Sequence, residues 1–154
     1  MRRAERDDWG FIQALYAMDH VRNQMHAPTE AQFGASLRRE HCFNFVVSGN
    51  GEPFGNLKAD LTDGWLLTIS ALAVRERRKG AGRFALRAAI GLAFGQLGAH
   101  RIFLEIVEAN VASRRLCESV GFRPEGVYRD GYCDETGEFH NLIPYGMLAT
   151  DAQP

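Results

Sequence analysis

Hydrophobic positions along the 154-residue chain fall into two rhythms, one helical and one alternating. Phe11, Ile12, Leu15, Tyr16 and Met18 recur at roughly helical spacing behind Asp7 and Asp8, either of which suits an N-cap, and they predict a first helix. A polar stretch with Pro28 follows. Thr29 then heads a second helical pattern that turns Phe33 and Leu37 inward. "CFNFVVS" and "FGNLKADL" are β-rich runs flanking "GNGEP", whose Asn50-Gly51 pair predicts a hairpin. "WLLTISALAV" predicts a third, longer strand that runs straight into a basic stretch.

Beyond that stretch, Leu86, Ala89, Ile90, Ala93 and Leu97 form an apolar stripe ending near Gly98, which predicts a helix over 81–97 packed on the sheet. "RIFLEIV" sets Ile102, Leu104 and Ile106 against Phe103, Glu105 and Val107, a strand pattern. "NVASRRLCESVGF" opens on Asn110, places Leu116 and Val120 one turn apart, and closes on Gly121 and Phe122, the signature of a helix C-terminus with a hydrophobic clasp. "GVYRDGYCDETGEFHNLIPYGML" reads as two strands around "DETGE". The order is helices, a β-meander, then β-α-β-α-β-β, without an internal repeat, low-complexity segment or linker. This predicts a mixed α/β (α+β) domain over residues 1–150 with a largely antiparallel sheet, and a short tail at 151–154.

Composition narrows the class. The chain is 45% hydrophobic and 24% charged, as expected for a globular domain with one core. A formal net charge of -1 argues against a protein whose main business is coating nucleic acid. Cys42, Cys117 and Cys133 are odd in number and widely spaced, so they are expected to be reduced thiols rather than metal ligands or a disulfide framework. The first residues carry no apolar stretch like a signal peptide, and the longest apolar run, "ALRAAIGLAF", is short and broken by Arg87. A cytoplasmic protein without a membrane partner is the simplest expectation. The histidines lack metal-ligand spacing, and no metal is expected.

"RERRKGAGRFAL", residues 75–86, concentrates positive charge between the third strand and the helix. Backbone N–H groups at a helix N-terminus have no intrahelical acceptor, Gly80 and Gly82 permit close approach, and Arg77, Arg78, Lys79 and Arg83 add charge to the helix dipole. An anion site is one reading. A solvated basic turn is the other. The pattern matches neither the nucleotide-triphosphate loop nor the dinucleotide fingerprint.

Two blocks decide between these readings. "LAVRERRKGAGRFAL" and "RIFLEIVEANVASRRLCESVGFRPEG" resemble the pyrophosphate loop and the following strand and helix of the GCN5-related N-acetyltransferase superfamily. The resemblance extends over roughly residues 43–148 and is nearest in pattern to the branch of ribosomal-protein N-terminal acetyltransferases. It implies that family's mixed, mostly antiparallel sheet with helices on both faces, and acetyl-CoA as cosubstrate. Main-chain groups of Leu72 and Val74 would pair with the pantetheine arm. Arg77 opens the family's loop pattern, and the amides of Arg78, Lys79, Gly80, Ala81, Gly82 and Arg83 would hold the diphosphate. Asn110 matches the family's pantetheine-contacting asparagine. Ser113 lies one turn on, and positions 110, 113 and 117 share a helical face. Asn110 also suits an N-cap, and Ser113 suits a solvent-facing helix position.

Acetyl transfer to an amine needs a neutral amine and protonation of the leaving thiolate. A lysine-like amine of pKa about 10.4 costs roughly 4 to 5 kcal/mol to deprotonate at pH 7, an α-amine near 8 only about 1 kcal/mol. Glu105 is the candidate base: it matches a catalytic glutamate of the resembled branch, and burial on a mostly apolar strand would raise its pKa. An ion pair with a neighbouring arginine or simple exposure is the plainer alternative, and Glu108 is the fallback. Cys117 stands where many members of the family carry a tyrosine acid, so it is either a thiol proton donor or a small core residue. Leu66 stands where histone-acetylating relatives have glutamate, which weakens a histone-type assignment. His26 and His140 are candidates for the acceptor side, and Asp60 and Asp63 for attracting a cationic substrate.

The expected activity is therefore acetyl-CoA-dependent N-acetylation of a primary amine, either a protein N-terminus or a small molecule such as a polyamine, amino acid or antibiotic. A catalytically silent acyl-CoA sensor is the alternative from another class. RNA binding through the arginines has only Phe84 as stacking support.

Overall fold

A computed structural model describes residues 1–22, 24–76 and 80–152. The alternating runs become β2 (Cys42–Gly49), β3 (Glu52–Thr62), β4 (Leu66–Val74), β5 (Arg101–Val107), β7 (Tyr128–Cys133) and β8 (Phe139–Leu148). Two short strands without a sequence pattern, β1 (Arg2–Arg3) and β6 (Arg123–Pro124), extend the sheet. The strand order is β1-β2-β3-β4-β5-β8-β6, with β7 also paired to β8. Every pairing is antiparallel except that of β4 with β5. Asn50 and Gly51 both take positive φ (52° and 85°) in the β2–β3 turn, as a tight hairpin requires. Asp63 and Gly64 do the same between β3 and β4 (50° and 75°).

The helices are α1 (Trp9–Tyr16), α2 (Asp19–Arg22), α3 (Glu30–Arg38), α4 (Ala81–Gly91) and α5 (Val111–Glu118). Thr29 caps α3 through the Gln32 amide, in a reciprocal capping box. Asp8 does not cap α1. A short 3₁₀ turn over Arg6–Asp8 precedes the helix, and the Asp8 carboxylate reaches back to the Glu5 amide at 2.8 Å and to Arg2 at 2.7 Å. The helix expected over 81–97 stays α-helical only to Gly91. A π turn over Leu92–Gln96 completes it, closed by Leu97 N donating to Leu92 O at 2.9 Å, and Gly98 ends it at φ 64°. At the end of α5, Gly121 turns at φ 105° and the Phe122 amide donates to Cys117 O at 3.1 Å, burying the Phe122 ring.

Helices cover both faces of the sheet. Leu86 and Ala89 of α4 and Cys117 of α5 pack with Phe45, Leu57, Leu67, Ile102, Leu104 and Tyr145 on one face. Ile12, Leu15, Tyr16, Val21 and Phe33 pack with Val46 and Ala73 on the other. The second face buries polar groups and satisfies them in a chain. Tyr16 Oη donates to Asn56 Oδ1 at 3.3 Å, Asn56 Nδ2 to Asn44 Oδ1 at 2.7 Å, and Asn44 Nδ2 to Ser36 Oγ at 3.2 Å. Among the described residues no helix is long and apolar enough to cross a membrane.

One irregularity shapes the centre of the sheet. Lys58 pairs with Ala71 and Ala59 with Ile69, so Ser70 is an extra residue with no partner on β3. A bulge of this kind reverses side-chain alternation. Leu67 and Ile69 face α4, whereas Ala71 and Ala73 beyond the bulge pack on the opposite face.

Candidate active site

β4 and β5 pair only at Leu66–Arg101, Leu67–Ile102 and Thr68–Phe103. Past that point β5 stays in register with β8 to Val107, while the bulged β4 follows β3 to Val74. The two strands diverge, and a cleft of ≈ 1160 Å³ opens between them. It is floored by their inner edges and flanked by α4, α5, the segment after α2, and β7.

Gly80 precedes α4 in the left-handed region, φ 77°, with open space where a Cβ would stand. Its side supplies no cap, and the first intrahelical bond is Phe84 N to Gly80 O at 2.9 Å. The amides of Ala81, Gly82 and Arg83 therefore meet the cleft without an intrahelical acceptor, an arrangement that favours an anion. Arg83 and Arg115 add positive charge to the same walls. Gly82 has a second role: a Cβ there would lie 2.7 Å from Leu116 Cδ2, so its absence lets α4 and α5 touch.

Asn110 caps α5, its Oδ1 accepting from the Ser113 amide at 3.2 Å. The capping role seen in the sequence is thus real, and the residue also lines the cleft together with Ser113 and Cys117, as their shared helical face requires. Leu72, Val74 and Glu105 line it from the strands. The Val74 carbonyl accepts from His20 Nε2 at 2.8 Å, so any ligand reaching that carbonyl shares it with a side chain that the sequence had not implicated. Arg77, Arg78 and Lys79 lie outside the described residues.

The structure bears on two expectations about the chemistry. Glu105 is exposed, not buried: alternation sends Ile102, Leu104 and Ile106 into the core and turns Glu105 to the cleft. It makes no hydrogen bond or ion pair among the described residues. Cys117 is buried, and desolvation, with the Glu118 charge beside it, pushes its thiol up to about 12. Such a thiol is a poor acid toward a thiolate whose ordinary pKa is about 8.5.

The other candidates separate. Glu108 lies outside the cleft and accepts from Asn141 Nδ2 at 2.9 Å. His26 lines the cleft; its Nε2 donates to Cys133 O at 3.1 Å and its ring lies 5.1 Å from that of Tyr132. His140 stands behind Tyr132, hydrogen-bonded to Asp134 Oδ2 at 2.8 Å. Asp60 is ion-paired with Arg39 at 3.3 Å, and Asp63 forms the β3–β4 turn, so neither is placed to guide a substrate. Phe84 is exposed and meets Phe54 edge-on. Sequence reasoning missed His20, Gln24 and Tyr132, all of which line the cleft. They carry no spacing signal, because they come from the one-turn α2, the segment after it and an outlying strand.

This fold is that of acetyltransferases. It superposes on a spermidine N-acetyltransferase from Vibrio cholerae in complex with CoA and spermine, with TM-score 0.85 and 16% identity over 98% of this chain and 95% of that one. It also superposes on the ribosomal-protein-S18-alanine N-acetyltransferase from Escherichia coli, with TM-score 0.74 and 23% identity over 96% and 92% of the two chains. No curated relative matches the chain. The model of the Acetyltransferase (GNAT) family matches residues 7–122, and the chain belongs to that family. The family's acetyl donor is acetyl-CoA, and the residues present fit it: an uncapped helix N-terminus for phosphates, and an open cleft between two parted strands.

Proposed function

We propose that the protein transfers an acetyl group to a primary amine, with Glu105 as base and a polypeptide N-terminal α-amine as acceptor. One observation carries this reading: Glu105 is an unpaired carboxylate in the cleft, among the described residues, where β5 parts from β4. A carboxylate so placed attracts an ammonium group and accepts its proton. A weak base suffices for an α-amine, which costs about 1 kcal/mol to deprotonate at pH 7, but not for an amine near 10.4.

Acetyl-CoA supplies the activated acetyl thioester. The first-turn amides of α4 hold its diphosphate, and Arg83 and Arg115 offset the charge. Asn110 orients the arm. Cys117 packs α5 against the sheet, and the proton for the departing thiolate comes from water. A polyamine acceptor is the second reading, favoured by the close fold agreement with the spermidine enzyme.

Thiol release from acetyl-CoA, followed with peptides bearing a free N-terminus, N-blocked lysine peptides and spermidine, tests the assignment. Turnover of the free N-terminal peptides is expected, and Glu105→Gln should lower kcat about 100-fold with acetyl-CoA affinity unchanged. Preference for spermidine would establish the second reading. Coenzyme binding without turnover of any amine would make the domain a sensor and overturn both.

A further inference from the structure

Between Glu76 and Glu105 the chain contains no Asp or Glu, while Arg77, Arg78, Lys79, Arg83, Arg87 and Arg101 all carry positive charge. In a chain of formal net charge -1 such a stretch polarises the molecule. Arg101 is neutralised by its ion pair with Glu125. Arg83 and Arg87, both exposed, lie one turn apart on α4 and make no ion pair or hydrogen bond among the described residues. The fold gains nothing from that pair. Like charges at this spacing repel, and a cation in the first turn opposes the helix dipole. α4 has no acidic residue to offset either effect.

The arginines of the two flanking helices fall into three groups. Arg83 and Arg115 line the cleft, and neither has a partner among the described residues. Arg114 is engaged, its Nε with Tyr145 Oη at 3.3 Å and its Nη1 with the Glu108 carbonyl at 3.2 Å. Arg87 is neither engaged nor part of the cleft lining. It stands four residues past Arg83, a rise of about 6 Å along the helix, which is within the Debye length of about 8 Å at physiological ionic strength. Its Cα–Cβ bond, like every one in a helix, tilts toward the N-terminus and hence toward the cleft. A ligand approaching the start of α4 therefore feels a charge that it does not touch.

Resting on the coenzyme reading above, we propose that Arg87 speeds the capture of acetyl-CoA through its electrostatic field, without contacting the bound coenzyme. Acetyl-CoA carries a diphosphate and a phosphomonoester, about three to four negative charges near neutral pH. An uncompensated positive face draws such a ligand to the start of α4 and raises its association rate. A charge outside the contact acts on that rate and on its salt dependence, and leaves dissociation alone. Arg83 and Arg115, which line the cleft, act on the bound state as well.

Stopped-flow mixing with a fluorescent etheno-adenine analogue of acetyl-CoA reads both rates for wild type, Arg87→Lys, Arg87→Gln and Arg87→Glu. At low salt Arg87→Gln should associate about 3-fold and Arg87→Glu about 10-fold more slowly than wild type, Arg87→Lys should match it, and every dissociation rate should stay within about 2-fold. At about 0.5 M salt, where the Debye length falls below about 5 Å, all should associate alike. Equal association rates at low salt, a difference that persists at high salt, or a dissociation rate that rises as association slows would each overturn the proposal. A melting temperature lowered in Arg87→Gln would assign the residue to the fold instead, since arginine and glutamine suit a helix about equally. Wild-type protein that binds neither the analogue nor acetyl-CoA would remove the coenzyme reading itself, whereas the variant rates bear on Arg87 alone.

Discussion

Asn110 has two tasks that a pair of substitutions separates. Its Oδ1 caps α5 through the Ser113 amide at 3.2 Å, and its side chain lines the cleft with Nδ2 making no hydrogen bond among the described residues. Asn110→Ala removes both the capping oxygen and the donor. Asn110→Asp keeps an oxygen for the cap, adds negative charge where the α5 dipole favours it, and replaces the donor with a second acceptor. Losing the cap costs about 1 kcal/mol, which for a chain of this size lowers the melting temperature by about 2–4 °C. The Ala variant should show that fall and the Asp variant should not. Losing one neutral hydrogen bond to the coenzyme, also about 1 kcal/mol, weakens binding about 5-fold in both, and charge repulsion weakens the Asp variant further. Thermal melts and calorimetric titration with acetyl-CoA at the same ionic strength read both effects. An Asp variant that melts like wild type and binds acetyl-CoA as tightly would show that Asn110 is a cap and nothing more.

Cys117 and Tyr16 offer a pH test. Burial raises the thiol from 9.0 to about 12 and the phenol from 10.0 to about 12, so the fold favours both neutral forms. Their stabilisation is complete below the ordinary values and is lost as pH rises through about 12. Cys117→Ala removes the thiol's share, and in denaturant titrations it should lose up to about 4 kcal/mol less stability than wild type between pH 9 and 12, while retaining acetyl transfer; parallel pH profiles would contradict the burial argument. Gly82→Ala should destabilise the protein by about 1 kcal/mol, because its Cβ would lie 2.7 Å from Leu116 Cδ2 and the Leu116 side chain must shift. Adding Leu116→Ala should restore part of that loss, with a coupling of about 1 kcal/mol in a double-mutant cycle, and strictly additive losses would deny the contact.

Elements whose residues obey one local rule were legible. Thr29, Asn50-Gly51 and Gly121-Phe122 are each satisfied by bonds within a few residues, so their types foretold a cap, a turn and a helix end. Asp8 misled because two local solutions competed for one carboxylate, and the 3₁₀ turn won. The depth of Glu105 was misjudged because a central strand has two faces, and whether one of them is covered depends on the divergence of β4, a tertiary fact. That divergence left a trace: the large apolar positions of β4 shift from Leu67 and Ile69 to Leu72 and Val74 across Ser70, which a strict alternation does not allow.

The two sides of the cleft are built from different materials, and this explains why one was readable and the other was not. On the side proposed for the coenzyme the available donors are main-chain amides, and the sequence has only to provide glycine where backbone must turn or approach closely, at Gly80 and Gly82. Those constraints are local in the chain because α4 begins shortly after β4 ends. On the side proposed for the acceptor the polar lining residues are Gln24, His26, Glu105 and Tyr132, drawn from an irregular segment and two strands that are not neighbours. Nothing fixes their separation along the chain. A substitution at any of these four positions changes that lining while leaving the turn of Gly80 and the α4–α5 contact intact, so the proposed acceptor side can change without disturbing the proposed coenzyme side.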